Sequence, residues 1–547
     1  MAESSPNELQ DRRLPQDVVP PPADLRRIIL QIGPGLIIAA SIVGSGELIM
    51  TTKVGAEAGI TLLWLIILGC VVKVFVQLEL GRFTISHGET TLTSLNTVPG
   101  PRLGRLNWVV ILWMIMMVTT IGQLGGIVGG VGQSLAITCP ITGDYRDAVL
   151  TPSKHDIAEY ASWKKNGVPP ELSEEAAAQL VRRIEWIERD LNRLGDKGRR
   201  IAELSVAGQE LVDEKGVPLV DPPTKDDRNW VIIIGILTSI LLFRGQYGLI
   251  EKASIALVVI FTMVTVGNVI SLQSTERYAI SGEEILRGLS FHLPKAQGAL
   301  LTALAAFGII GVGAVELIAY PYWCLEKGYA RSTGPRDSSD EWLQRARGWF
   351  RVMKFDAFAS MAVYTAATAA FFFLGAAVLH SDGRNPEDMR MVSTLSEAYV
   401  PVFGEYAKWL FLLGAFAVLY STFLVANAGH ARMTADFCGV LGLIGTDSVS
   451  PQRLRLVRWL SAALPLICVF VFMYFPRSPV LLISVAGLTQ SIMLPILGWS
   501  SIWFRYRITD PRLRPGLLWD AALILSSLAL LIAGLWGSYQ ALLKLAP

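Results

Sequence analysis

Apolar residues in this chain fall in long unbroken runs, with no sustained two-residue alternation. A helix needs about 20 mostly apolar residues to cross a bilayer. The pattern gives eleven such runs, at 28–50, 60–84, 107–138, 229–243, 249–272, 297–325, 354–379, 405–429, 456–474, 479–504 and 518–543. The fourth is the shortest. The fold class expected is an all-α polytopic membrane protein. The polar segments divide it into a tail at 1–27, spans one to three within 28–139, an insert at 140–228, and spans four to eleven within 229–547.

The tail is polar and holds five prolines, which predicts a disordered segment. Within the insert, Leu180, Ile184, Ile187, Leu191 and Leu194 recur at steps of four and three, a short heptad stripe. Ser173 is placed to cap that helix, with Glu174 and Glu175 in its first turn. Gly195 and Gly198 end it, and a second helix is expected around 199–212. The insert therefore reads as a helical hairpin. It is either a decoration packed on the membrane domain or a module for an unknown partner.

Composition agrees with a membrane protein. Of the 547 residues 52% are hydrophobic and 17% charged, against about a quarter charged in soluble domains. The formal net charge of +2 and the lack of a basic block give no footprint for nucleic acid. Lys and Arg concentrate on one side, seven of them in the 326–354 loop alone. That bias places the N-terminus in the cytoplasm, with the insert and the C-terminus outside it. It also supports the short fourth span, since without it the basic loop would change sides. The five cysteines form no C-x-x-C pair, so no disulfide framework or zinc knuckle is expected. His87, His155, His292, His380 and His430 are expected in loops or at span ends. No Walker A, Rossmann or H-E-x-x-H motif is present, and no nucleophile–base arrangement stands out, so the chain does not read as an enzyme.

The candidate chemistry lies inside the spans. Span one contains "VGSGELI" from Val43, and span six contains "VGAVELI" from Val312. Five of the seven residues match, and each places a glutamate, Glu47 or Glu316, four residues after the valine. Spans one and six are equivalent members of two five-span halves. Inverted repeats of this kind put a transport site at the midplane between two discontinuous helices. Gly44, Gly46 and Gly313 predict unwinding in both spans, which would free backbone carbonyls for a cation. Pro321 predicts a further kink or break in span six. A carboxylate at bilayer depth is a functional candidate by default. Lys73, deep in span two, is either a structural partner or a counter-charge in the site. Glu79 and Arg82 read as a snorkelling or surface pair at the end of span two. The overlapping G-x-x-x-G spacings of Gly122, Gly126 and Gly130 predict close helix packing, with Gln123 and Gln133 candidates for a water path.

Beyond these residues, the sequence resembles the NRAMP divalent-metal transporters. "GPGLIIAASIVGSGEL" is similar to the family's first span, "QLELGRFTISHG" to the end of its second and "YGLIEK" to its fourth-to-fifth connection. "FGIIG" resembles the opening of its sixth span, Asp356 with "LGAAVLH" its seventh, and "LTQSIMLP" its tenth. The resemblance implies a LeuT-like inverted five-plus-five repeat with an eleventh span. It also implies a site at Gly44, Ser45, Gly46 and Glu47, which fall on the family's D-P-G-N motif. In span six, Val315 falls on its metal-binding methionine, Glu316 on its proline and Leu317 on its histidine. Two of the family's ligands are thus replaced, and no thioether remains.

The donors left are Glu47, Glu316 and backbone carbonyls. An all-oxygen set suits magnesium, manganese or calcium better than late transition metals. The first expectation is a secondary transporter of a hard divalent cation, with Glu47 and Glu316 as metal ligands, coupled to or exchanging with protons. No bound cofactor is expected apart from the transported cation. A second reading keeps the fold and carries a small polar or zwitterionic organic solute, with Gly44 and Gly313 enlarging the site. A third is a membrane receptor or scaffold acting through the 140–228 insert.

Overall fold

The structure is a computed structural model. It describes residues 18–545 apart from 171, 173, 246, 295–296, 405, 446–449 and 476–478, and without the side chains of residues 45, 174–176, 247–255, 257, 297, 388, 403 and 541–545. The tail up to residue 17 and the Ser173 cap therefore lie outside the described residues.

Every apolar run is helical. A short helix α1 (Leu25–Gln31) is followed, across a 53° bend at Ile32 and Gly33, by α2 (Pro34–Ile42). The chain continues as a π-helix over Val43–Thr51 and ends span one as α3 (Thr52–Ala58). Span two is α4 (Leu63–Val71) and α5 (Lys73–His87), and span three is α6 (Trp108–Thr138). The insert contributes α7 (Lys154–Asn166), α8 (Glu174–Arg193) and α9 (Asp196–Ala207). Then come α10 (Asp226–Arg244) and α11 (Tyr247–Leu272). Span six is split into α12 (Gln297–Ile309) and α13 (Ala314–Lys327). The remaining long helices are α14 (Asp340–Leu374), α15 (Tyr406–Val440), α16 (Pro451–Tyr474), α17 (Pro479–Arg507) and α18 (Leu517–Leu545). Among the described residues eight helices are long and apolar enough to cross a membrane, or nine if the bent α1–α2 pair is one span. The short α10 misses that standard because it opens on Asp226, Asp227 and Arg228.

One apolar core runs through the membrane helices. The insert has its own, built from Ile157, Tyr160, Ile184, Ile187, Leu191, Ile201 and Val220. Ile184, Ile187 and Leu191 of the heptad stripe are buried there with Leu180 packed against them, while Leu194 lies past the end of α8, and the expected hairpin is a cluster of three helices, with α7 as the third. The insert docks on the loop after span seven. Arg390 donates to the Thr151 carbonyl at 2.6 Å and pairs with Asp221, while Arg384 stacks over Trp186.

Two sequence expectations change at this level. His430 is buried within α15, ten residues before its end, and not at the end of a span. The helix runs past its apolar stretch because its later charges are partnered: Arg432 pairs with Glu326, and Asp436 accepts from Thr90 and from Tyr322. Glu79 and Arg82 are buried too, where a surface pair was expected. The last span covers them: Trp519 Nε1 donates to Glu79 Oε1 at 2.6 Å, and Arg505 bridges Glu79 to Asp520. Pro321 sits inside an unbroken α13.

Candidate functional site

Span one does not unwind. Over Val43–Thr51 it widens into a π-helix, a form frequent at functional sites. Thr51 Oγ1 donates back to the Gly46 carbonyl at 2.9 Å. The two glycines serve close approach instead. A Cβ on Gly44 would lie 2.3 Å from Thr422 Oγ1, and one on Gly46 would lie 2.9 Å from the Ile309 carbonyl. The Gly44 N–H donates to Thr422 Oγ1 at 3.1 Å. The space where a longer side chain would project from position 44 is therefore filled by α15, and Gly44 does not enlarge a cavity.

Span six does break, between Ile309 and Ala314. Gly311 takes φ +58°, a left-handed conformation that glycine adopts at little cost. Gly313 caps α13 in extended backbone. This break organises the charges. Glu47, fully buried, accepts from the Gly311 N–H at 2.9 Å and from Thr368 Oγ1 at 3.2 Å, both through Oε1. Its Oε2 is buried with no hydrogen-bond partner among the described residues. A charged side chain at bilayer depth costs at least about 2.5–3.5 kcal/mol. A hydrogen bond to a charged group contributes about 1.5–3 kcal/mol, so the Gly311 N–H offsets much of that cost, while Thr368 shares its single proton with the Tyr364 carbonyl at 2.6 Å.

Glu316 lies in the first turn of α13, half-buried. Its carboxylate folds back over Gly313: a Cβ there would be 2.5 Å from Glu316 Oε2, 2.8 Å from Gln490 Oε1 and 3.2 Å from the Gly308 carbonyl. Three oxygens therefore converge on Gly313, which leaves no room for a side chain and no enlarged cavity. Gln490 Oε1 accepts weakly from the Val315 N–H at 3.4 Å, and its Nε2 donates to Gln123 Oε1 at 2.8 Å. The Val315 side chain is buried. Glu47 and Glu316 thus bracket the same four-residue break.

Lys73 completes the arrangement. Its ammonium donates to the Phe307 carbonyl and, at 2.7 Å, to the Ile310 carbonyl. Two of the carbonyls at the break of span six are thus held by a lysine. The α2 end of span one is fixed separately: Asp356 accepts from the Gly33 and Gly35 N–H groups at 2.9 and 2.7 Å and from Tyr320.

The sequence reading missed Thr368, Thr422, Gln490 and Cys70. Cys70 is a buried thiol packed against the break, its Cα 2.9 Å from where a Cβ on Gly311 would stand. Among the described residues no three His, Cys, Asp or Glu side chains cluster as a metal centre. On the insert side a cavity of about 1270 Å³ reaches down between α3, α12 and α17, lined by Lys53, Glu57, Thr302, Ala305, Ser484 and Leu488. Lys53 is held at its wall by Glu57 at 2.9 Å and Glu387 at 3.0 Å.

A family model described as "Natural resistance-associated macrophage protein-like", or Nramp, matches residues 226–537. The fold is similar to that of the Eremococcus coleocola manganese transporter, solved with an aromatic bis-isothiourea substituted compound. The TM-score is 0.53 at 13% identity, covering 98% of this chain and 91% of that one. MhsT with L-phenylalanine aligns at TM-score 0.49 and 14% identity, covering 94% and 99% of the two chains. No curated protein sequence matches.

Proposed function

From the premise that this chain belongs to the Nramp family, as its match over 226–537 establishes, we propose that it carries a hard divalent cation of the magnesium or manganese type by alternating access. The observation that carries this reading is the convergence of Glu316 Oε2, Gln490 Oε1 and the Gly308 carbonyl at the break of span six, a break whose Gly311 N–H also binds Glu47, with Glu47 Oε2 unpartnered among the described residues. All are oxygen donors, the kind that hard cations prefer. Glu47 and Glu316 are the ligands, and Gly44, Ser45, Gly46, Gly313 and Val315 form the surrounding backbone. An organic solute is disfavoured because Thr422 fills the space beside Gly44, and Glu316 with Gln490 fills the space beside Gly313.

Without a cation, two carboxylates brought to one site would repel, and one would tend to take a proton. Release of that proton on metal binding is the coupling step we propose. The tail at 1–27 and the basic loops face the cytoplasm, and the 140–228 insert with the C-terminus faces away from it. The cavity under the insert is then the outer entrance. Uptake of manganese and magnesium into proteoliposomes tests the reading. Glu47→Gln and Glu316→Gln should each lower uptake by about tenfold or more, the scale of an uncompensated buried charge. If both variants carry metal at the parent's rate, the reading is wrong.

A further inference from the structure

Helix α12 ends at the break with its last carbonyls pointing into the protein, the negative end of a helix dipole. Two oxygens at that end, those of Phe307 and Ile310, receive the Lys73 ammonium, which also lies 4.8 Å from the centre of the Phe307 ring. Lys73 is fully buried. Two carbonyls and an aromatic face form a cation box, and its occupant is covalently attached. Carbonyl oxygens and a ring face are the groups that bind a small monovalent cation or an ammonium.

We propose that Lys73 is a tethered cation: its ammonium fills a second cation subsite at the C-terminal end of α12, separate from the carboxylate pocket, so that the break needs no monovalent ion from solution. A tethered group competes at a high effective concentration. Sodium or potassium therefore gains no hold on this subsite in the parent protein. Shortening the side chain would empty the box and make it a site for a soluble cation.

The experiment uses the full-length protein, the parent beside Lys73→Ala and Lys73→Met. Thermal unfolding and manganese uptake are followed in choline chloride, then with sodium, potassium or methylammonium replacing choline at constant ionic strength. The parent should respond to none of them. Lys73→Ala should unfold at lower temperature and lose about tenfold or more of its uptake in choline. At least one small cation should restore both saturably, over one concentration range. Lys73→Met, whose methyl group fills the box without charge, should stay impaired in every salt.

A merely structural strut would not show rescue that depends on the size of the cation. If Lys73→Ala folds and no cation restores it, or if Lys73→Met matches the parent in choline, the inference is overturned. Should Lys73→Ala not fold, Lys73→Met alone decides: impaired uptake by a folded protein supports the tether, and parental uptake ends it. The uptake arm rests on the transport reading above, but the unfolding arm does not. A parent that carries no manganese would end the transport reading alone, because saturable restoration of Lys73→Ala stability by a small cation would still stand.

Discussion

Glu47 and Gly311 stand 264 positions apart in the chain and meet at 2.9 Å, the carboxylate of the first span accepting the backbone N–H at the break of the sixth. The contact makes the broken helix a partner for the buried charge. It is available because Gly311 turns its N–H inward from a left-handed conformation.

Gly311→Ala should therefore be strongly destabilising. A left-handed alanine costs about 1–2 kcal/mol. Its Cβ would also meet the Cys70 Cα at 2.9 Å, where backbone cannot give way cheaply. Thermal unfolding in detergent should show a clear drop, and uptake should fall with it. Parental stability would mean that the break does not have this conformation.

Gly44→Ala should cost about 1–3 kcal/mol, the usual range for overpacking, because Thr422 Oγ1 would be 2.3 Å from the new carbon. Adding Thr422→Ala should recover part of the loss, so that the double variant is less unstable than the sum of the two single ones. Strict additivity, read from the same unfolding curves, would deny the contact.

Sequence and structure agree where one local signal suffices. The apolar runs fixed the helices, and the Gly313–Glu316 stretch marked the break of span six. The parallel inference for span one failed. Gly44 and Gly46 carry the same local signal, but here they let Thr422 and the Ile309 carbonyl approach a π-helix that stays wound. Whether a glycine unwinds a helix or admits a neighbour depends on which helix packs there, and the chain does not print that locally. Thr368 and Gln490 were silent for a related reason. A threonine in an apolar run normally bonds its own helix, as Thr368 does to the Tyr364 carbonyl at 2.6 Å. Its second role toward Glu47 exists only once α14 lies against span one. Lys73 was visible as a buried charge, but its two carbonyl partners belong to span six.

Cys70→Ser tests the choice of hard over soft cations. The thiol is buried beside the break and is a sulfur within the site if a soft metal were the cargo. Manganese and magnesium uptake should be unchanged by this nearly isosteric substitution. Selective loss of cadmium or zinc uptake with the hard ions unaffected would bring sulfur into the site.

The insert can be removed where its ends meet. The Lys154 N–H donates to the Asp221 carboxylate at 3.3 Å, so residues 155–220 can be replaced by a short glycine–serine linker. The insert has its own core, and its loss should leave the membrane helices folded. Uptake should persist at a reduced or parental level. A folded protein with no uptake would give the insert the working role.

The central claim is that Glu47 and Glu316 share one cation at the break of span six. Anomalous diffraction from manganese-soaked crystals tests it most directly. The account predicts a single strong peak next to the break, with Glu47 Oε2 and a Glu316 oxygen at roughly 2.0–2.6 Å, the range of hard-cation coordination. Saturating manganese that leaves this position empty, or that binds only at the Lys53–Glu57–Glu387 wall of the outer cavity, would contradict it.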